Sequence, residues 1–281
     1  MERPLDTWTT EELVTAMTAT SERIPELMKQ AAPAIVPVVD RMVDTIEKGG
    51  HIFVVGAGTS GRLGVLDASE IRPTFGDRDV FVAVMAGGDD AVSAAHEGAE
   101  DREELGVQEL DQRTFSARDF CIGITASGTT PFVWGALKHA RELSGGTALI
   151  SCRSGSKCPW ADLVIEVDTG EEFIKGSTRL MAGTVEKMIL NLLSTVTMVR
   201  LGRTYGNLMV SVVPSNKKLL ARAASIVSAI TGVPEPVARE KVNAVHDVRI
   251  AALMLGLNLT EEQAKNRLSE FHNNFRQAYD G

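Results

Sequence analysis

The 281-residue chain is short of several things, and each shortage removes a class of function. It has only three cysteines, Cys121, Cys152 and Cys158, and no C-x-x-C pair. That argues against a structural zinc site and for a reducing compartment, the cytoplasm. Its five histidines are scattered, without the H-x-x-x-H kind of ligand spacing, so neither a metal nor a metal-dependent mechanism is expected. No apolar run approaches the roughly 18–20 residues that span a bilayer. The opening MERPLDTWTTEELV is acidic and polar, unlike a secretory signal. Basic side chains are outnumbered 29 to 37, for a formal net charge of −8. No basic stripe is present, so nucleic acid is not an expected partner. An acidic chain can still hold a small anion when backbone N–H groups and a helix end do the holding.

What is present is a soluble α/β pattern with 44% apolar residues. Residues 10–48 read as helices, EELVTAMTATSERIPELMKQ and then IVPVVDRMVDTIEKGG. Apolar runs at HIFVVGAG (51–58), VFVAVMAGG (80–88), FCIGITASG (120–128), TALISC (147–152) and LVIEV (163–167) read as five buried strands. Helices are expected between them: RLGVLDASE up to Pro73, the acidic stretch 89–113, TPFVWGALKHAREL, and the long segment 178–202. Continuous apolar strands alternating with helices predict a doubly wound, parallel, five-stranded sheet. Beyond about residue 215 only helical pieces follow, four of them. The expected division is an N-terminal helical segment (1–48), the α/β domain (49–214) and a C-terminal helical module (215–281).

Three turns of one kind carry the chemistry. Gly56, Gly58 and Gly61 satisfy the G-x-G-x-x-G spacing of a dinucleotide fingerprint. The acidic residue that should hold ribose about 20 residues on is missing, since the first acid after the second strand, Asp89, lies 33 residues beyond Gly56. Thr59 and Ser60 follow Gly58, Ser127-Gly128-Thr129-Thr130-Pro131 closes the third strand, and Gly176-Ser177-Thr178-Arg179 opens the long helix. Hydroxyls and glycines at helix starts, gathered at the carboxyl edge of a parallel sheet, form a phosphate pocket. Arg62 is placed to reach that phosphate or a neighbouring element, and Arg179 to serve phosphate or a subunit contact.

The segments GAGTSGRLGVLDASE, AGG with EGAED, GITASGTTP, GSTRLMAGT and YGNLMV resemble the N-acetylmuramic acid 6-phosphate etherases of the sugar isomerase (SIS) phosphosugar-binding superfamily, to which the glucokinase regulatory protein is related. The helical tail resembles their ubiquitin-associated-like C-terminal module. The resemblance implies a cytoplasmic homodimer of cell-wall recycling, needing no metal or nucleotide cofactor, with its active site near the subunit interface. It implies cleavage of the C3 lactyl ether, giving N-acetylglucosamine 6-phosphate and D-lactate by elimination and hydration. Glu70 of the D-A-S-E motif is then the general acid and Glu100 of E-G-A-E-D the base or water activator, with Glu97 on sugar hydroxyls. By the same resemblance Ser60, Ser127 and Ser177 hold the phosphate. Thr129 and Met181 stand where those enzymes usually carry arginine and lysine, and Arg72, Lys175 and Asn273-Asn274 also depart from their pattern. Two alternatives stay open: an isomerase or lyase on another sugar phosphate, and a non-catalytic sugar-phosphate sensor.

Overall fold

A computed structural model describes residues 3–77, 80–94, 96, 98–214 and 216–281. Five strands, β1 (Ile52–Gly56), β2 (Phe81–Met85), β3 (Phe120–Thr125), β4 (Gly146–Ser151) and β5 (Leu163–Glu166), form one sheet in the order β2-β1-β3-β4-β5. Every pairing is parallel. β1, β3 and β4 are buried along their whole length because helices cover both faces, as their unbroken apolar sequences require. One face packs on α2 (Ile24–Glu47), α3 (Gly58–Phe75) and α6 (Met181–Arg200), and the other on α4 (Glu103–Gln112) and α5 (Pro131–Glu142). α1 (Thr10–Ser21) precedes them and buries no residue.

The helix boundaries differ from the sequence reading where packing overrides local signals. The break expected near residue 33 is absent, and α2 runs through Pro33 and Pro37. Both prolines are exposed, while Met28, Ala31, Ile35, Val38, Val39 and Met42 keep one face buried past them. α3 likewise continues beyond Pro73 to Phe75, because Ile71 and Phe75 are anchored in the core on either side of it. It stops at Gly76, whose φ of 73° is left-handed. The acidic stretch 89–113 is not one helix: a 3-10 turn (Asp89–Val92) and α4 are separated by a segment in which Gly98 has φ +80°.

The tail folds around its own hydrophobic cluster, built by α7 (Lys217–Thr231), α8 (Glu235–Val245), α9 (Val248–Leu257), α10 (Glu261–Glu270) and α11 (Phe275–Asp280). The fifth of these, six residues long, is too short to show helical periodicity in sequence. Phe275 N–H donates to the Gly202 carbonyl, and Arg203 bridges Asp77 at 2.6 Å and the Asn273 carbonyl, fastening the tail to the end of α6. No helix of the described residues is long and apolar enough to cross a membrane.

Candidate functional site

In a sheet of this order the direction of winding reverses between β1 and β3, and ligands of open α/β folds lie beyond the strand ends at that point. A cavity of about 340 Å³ opens there, lined by Ala57, Gly58, Thr59 and Ser60 after β1 and by Thr125, Ser127, Thr129, Thr130 and Pro131 at the end of β3. Glu100, Asp101 and Thr178 complete the wall. Gly56 and Gly61 explain themselves by packing: a Cβ on Gly56 would come within 2.7 Å of the Gly61 nitrogen. Gly58 is different, with φ +54° and open space where a side chain would be, so the backbone itself faces the cavity.

The N-termini of α3 and α5 both point into this space. Neither N-cap residue, Ala57 nor Thr130, makes a side-chain capping bond among the described residues. The start of α3 therefore offers free N–H groups, whereas at α5 the Phe132 N–H donates to the Glu100 carbonyl at 3.0 Å, so α5 contributes chiefly its dipole and this bond fixes the Glu100 backbone at the rim. Pro131 occupies the first turn of α5, where its missing N–H is no loss. The β3 turn is held in shape by its own hydroxyls. Ser127 Oγ accepts from Thr129 N–H at 3.2 Å and Thr129 Oγ1 at 3.1 Å, and Thr125 and Thr130 hydroxyls meet at 2.6 Å. Trp134 Nε1 donates to the Gly128 carbonyl at 2.9 Å, fixing the turn from outside.

The third turn contributes differently from expectation. Thr178 lines the cavity, whereas Ser177 is not among its lining residues. α6 starts only at Met181, and its first N–H groups are taken by the Glu172 carboxylate, at 2.8 Å from Met181 and 3.0 Å from Ala182. This helix end is closed to a phosphate. Arg179 lines a separate cavity of about 240 Å³ with Arg23, Glu171 and Glu172. Arg62 is committed to a neighbouring element, donating to the carbonyls of Ala91, Val92 and Ala94, so the expectation of a phosphate contact gives way to a strut behind β2. Glu97 lies outside the described residues.

Glu70 and Glu100 do not share a cavity within one chain. Ten residues of α3 separate Ser60 from Glu70, an axial rise of about 15 Å. Glu70 lines another cavity, of about 590 Å³, with Asp67, Lys187, Asn191, Thr195, Val199 and the 204–209 segment. Asp67 binds Lys187 at 2.7 Å.

One residue that the sequence reading passed over sits directly beneath the turn after β1. Glu186 of α6 is 1% exposed, and the Ser60 hydroxyl donates to its Oε1 at 2.8 Å. Its Oε2 has no hydrogen-bond partner among the described residues. Burial pushes this carboxyl up to about 7, against the downward pull of the Ser60 hydrogen bond. The available signal was a lone acid in the middle of the apolar run VEKMILNLL.

The sequence pattern of the glucokinase regulatory protein N-terminal SIS domain matches residues 34–141. An N-acetylmuramic acid 6-phosphate etherase of Exiguobacterium sp. is 43% identical over 277 residues, covering 98% of this chain and 94% of its own. An enzyme of the same name from Lactococcus lactis subsp. cremoris is 44% identical over 250 residues, 88% of this chain and 84% of its own. Among solved structures, a phosphoheptose isomerase from Francisella tularensis superposes with a TM-score of 0.54 at 19% identity, over 68% of this chain and 100% of that one. It shares the fold.

Proposed function

The chain belongs to the N-acetylmuramic acid 6-phosphate etherase family, and from that premise we propose that it is a carbon–oxygen lyase acting on N-acetylmuramic acid 6-phosphate. The carrying observation is the cavity at the β1/β3 switch point, where the uncapped end of α3 and the hydroxyls of Ser60, Ser127, Thr129, Thr130 and Thr178 face one space, with Glu100 held beside it by the Phe132 N–H to its carbonyl. The phosphate sits against the helix ends, and the open-chain sugar extends toward the carboxylates. A base removes the C2 proton, made acidic by the C1 aldehyde. The electron pair forms the C2–C3 double bond as the C3–oxygen bond breaks, and an acid protonates the departing lactyl oxygen. Water then adds at C3 and a proton returns to C2, giving N-acetylglucosamine 6-phosphate and D-lactate. Each positioned proton transfer contributes roughly 10²–10⁴-fold.

In this reading Glu100 is the base and Glu70 the acid, and the two meet across a dimer. From phosphorus to C3 there are five bonds of about 1.5 Å each, too short a span for one substrate to join the phosphate turn and Glu70 of the same chain. Beside Glu70, α6 exposes Met188, Leu192, Val196 and Val199 along one face, and Val199 also lines the Glu70 cavity. An apolar stripe of that spacing is the surface a second copy would cover, bringing the partner subunit's Glu70 to the sugar. Three free, buried cysteines fit the cytoplasmic setting.

The test is lactate release from N-acetylmuramic acid 6-phosphate, with Glu70→Ala and Glu100→Ala each inactive. Mixing the two inactive variants should restore roughly a quarter of wild-type activity, because half the dimers are mixed and each mixed dimer of a two-fold pair holds one intact site. Inactive mixtures would place both glutamates in one chain's site. Deuterium exchange at C2 without lactate would overturn the etherase assignment in favour of an isomerase.

A further inference from the structure

We propose that Glu186 is a proton-coupled positioning residue: it takes up a proton when a phosphate monoester enters the cavity above Ser60, and that proton releases the Ser60 hydroxyl to donate to the ligand. The inference rests on the reading of that cavity as the phosphate site and adds a charge mechanism to it.

The geometry leaves little choice about hydrogens. A serine hydroxyl has one proton to give. In the arrangement found, it is given inward, from Ser60 Oγ to Glu186 Oε1 at 2.8 Å. Ser60 lines the cavity, and with its proton so committed it presents only lone pairs there, which repel phosphate oxygens. When Glu186 is a carboxylic acid, its own O–H donates to Ser60 Oγ over the same distance, and the serine proton turns outward. The neutral acid also suits the site better, because Oε2 is buried with no partner among the described residues and an ionised oxygen left so is costly.

Charge points the same way. Among the described residues the cavity lining holds two carboxylates, Glu100 and Asp101, and no cation. Arg62 is spent on three carbonyls, and Lys187 on Asp67 and Asn191. Two helix ends supply only partial positive charge. A dianion set over an ionised, buried carboxylate would be repelled, and like charge raises proton affinity. The other charged groups around Glu186 are already engaged. On α3, Asp67 pairs with Lys187, and before α6, Glu172 holds the helix start. Cys152, just past β4, keeps its proton, its thiol pushed up by burial and then by the Glu186 and Glu172 charges. Burial therefore sets the titration of Glu186, near 7 in the free protein.

The sign follows by linkage. The bound form holds the proton more tightly than the free form, so binding consumes a proton and affinity falls as pH rises above the free value. Titration calorimetry with N-acetylglucosamine 6-phosphate at about pH 7.5, in buffers of different ionisation enthalpy, should read an uptake of between about half and one proton per site. The ligand's own phosphate, with a second pKa near 6, is already largely dianionic there. The dissociation constant should rise about tenfold between pH 7 and about pH 8.5, the slope of one coupled proton. Glu186→Gln keeps the side-chain shape, and it should bind without proton uptake and with a flat profile over that range. Wild-type binding without proton uptake overturns this inference and leaves the phosphate site standing. Absence of binding overturns both. Persistent uptake in Glu186→Gln assigns the proton elsewhere and also overturns it.

Discussion

The two ends of the molecule treat their helix starts in opposite ways. In the tail, four of the five helices, α7, α9, α10 and α11, begin on a side chain that accepts from their own first-turn N–H groups, Asn216, Asp247, Thr260 and Asn274, while α8 follows Pro234 without one. At the sheet edge, α3 and α5 begin without such a bond. A missing cap costs a helix roughly 0.5–2 kcal/mol, and α3 carries that cost at the cavity, while in α5 the Phe132 N–H is satisfied by the Glu100 carbonyl. The tail uses its first-turn donors for stability, and α3 leaves its own facing the cavity. α6 lies between these cases: it starts beside the same cavity, but Glu172 closes it. Proximity to the site is thus not what leaves a helix end open.

The contrast can be attacked from either side, and the largest effect belongs to the site's own acid–base group. Glu100→Ala should lower lactate release by at least about 10²-fold, the value of one positioned proton transfer, with N-acetylglucosamine 6-phosphate affinity preserved. A comparable loss of affinity would make Glu100 a binding residue instead.

Next comes the buried acid. Because the carboxyl of Glu186 is raised from 4.5 to about 7, the folded state binds the extra proton. Its contribution to stability is most favourable below the unfolded value and declines as pH rises through the folded one. A carboxyl raised that far changes stability by about 3 kcal/mol across the window. Urea unfolding of Glu186→Gln should lack that decline, so the variant gains on wild type between about pH 5 and about pH 8.5. Parallel curves for the two proteins would remove Glu186 from the account.

A third change moves the tail's device to the sheet edge. Ala57 is extended, with φ −122° and ψ 156°, the backbone of an N-cap. Ala57→Asp should therefore raise stability by about 0.5–2 kcal/mol while weakening hexosamine 6-phosphate binding tenfold or more, since a fixed carboxylate takes the anion's place. Smallest is the reverse operation in the tail. Asp247→Ala and Thr260→Ala should each lower stability by about 1 kcal/mol and leave the dissociation constant unchanged.

Much of this was legible beforehand because it rests on local pattern. Unbroken apolar strands declared a parallel sheet, and the hydroxyl turns after β1 and β3 pointed to the cavity that both line. Residues whose role depends on a distant partner were not legible. Arg62 reaches carbonyls about thirty positions away, Ser177 falls off the wall that its neighbour Thr178 joins, and Glu172 caps a helix nine residues downstream. Glu186 acquires meaning only when folding sets it under Ser60, 126 positions earlier in the chain. The prolines of α2 misled for a related reason, since only packing shows that they face solvent and leave the buried stripe intact.

The central claim is that the uncapped start of α3, with the hydroxyls of the β3 turn opposite it, holds a phosphate monoester. A crystal structure with N-acetylglucosamine 6-phosphate bound addresses it most directly. The account predicts phosphate oxygens within hydrogen-bonding distance of Ser60 and Ser127 and of the first N–H groups of α3. Phosphate seated instead beside Arg23 and Arg179, in the cavity those arginines line, would contradict it.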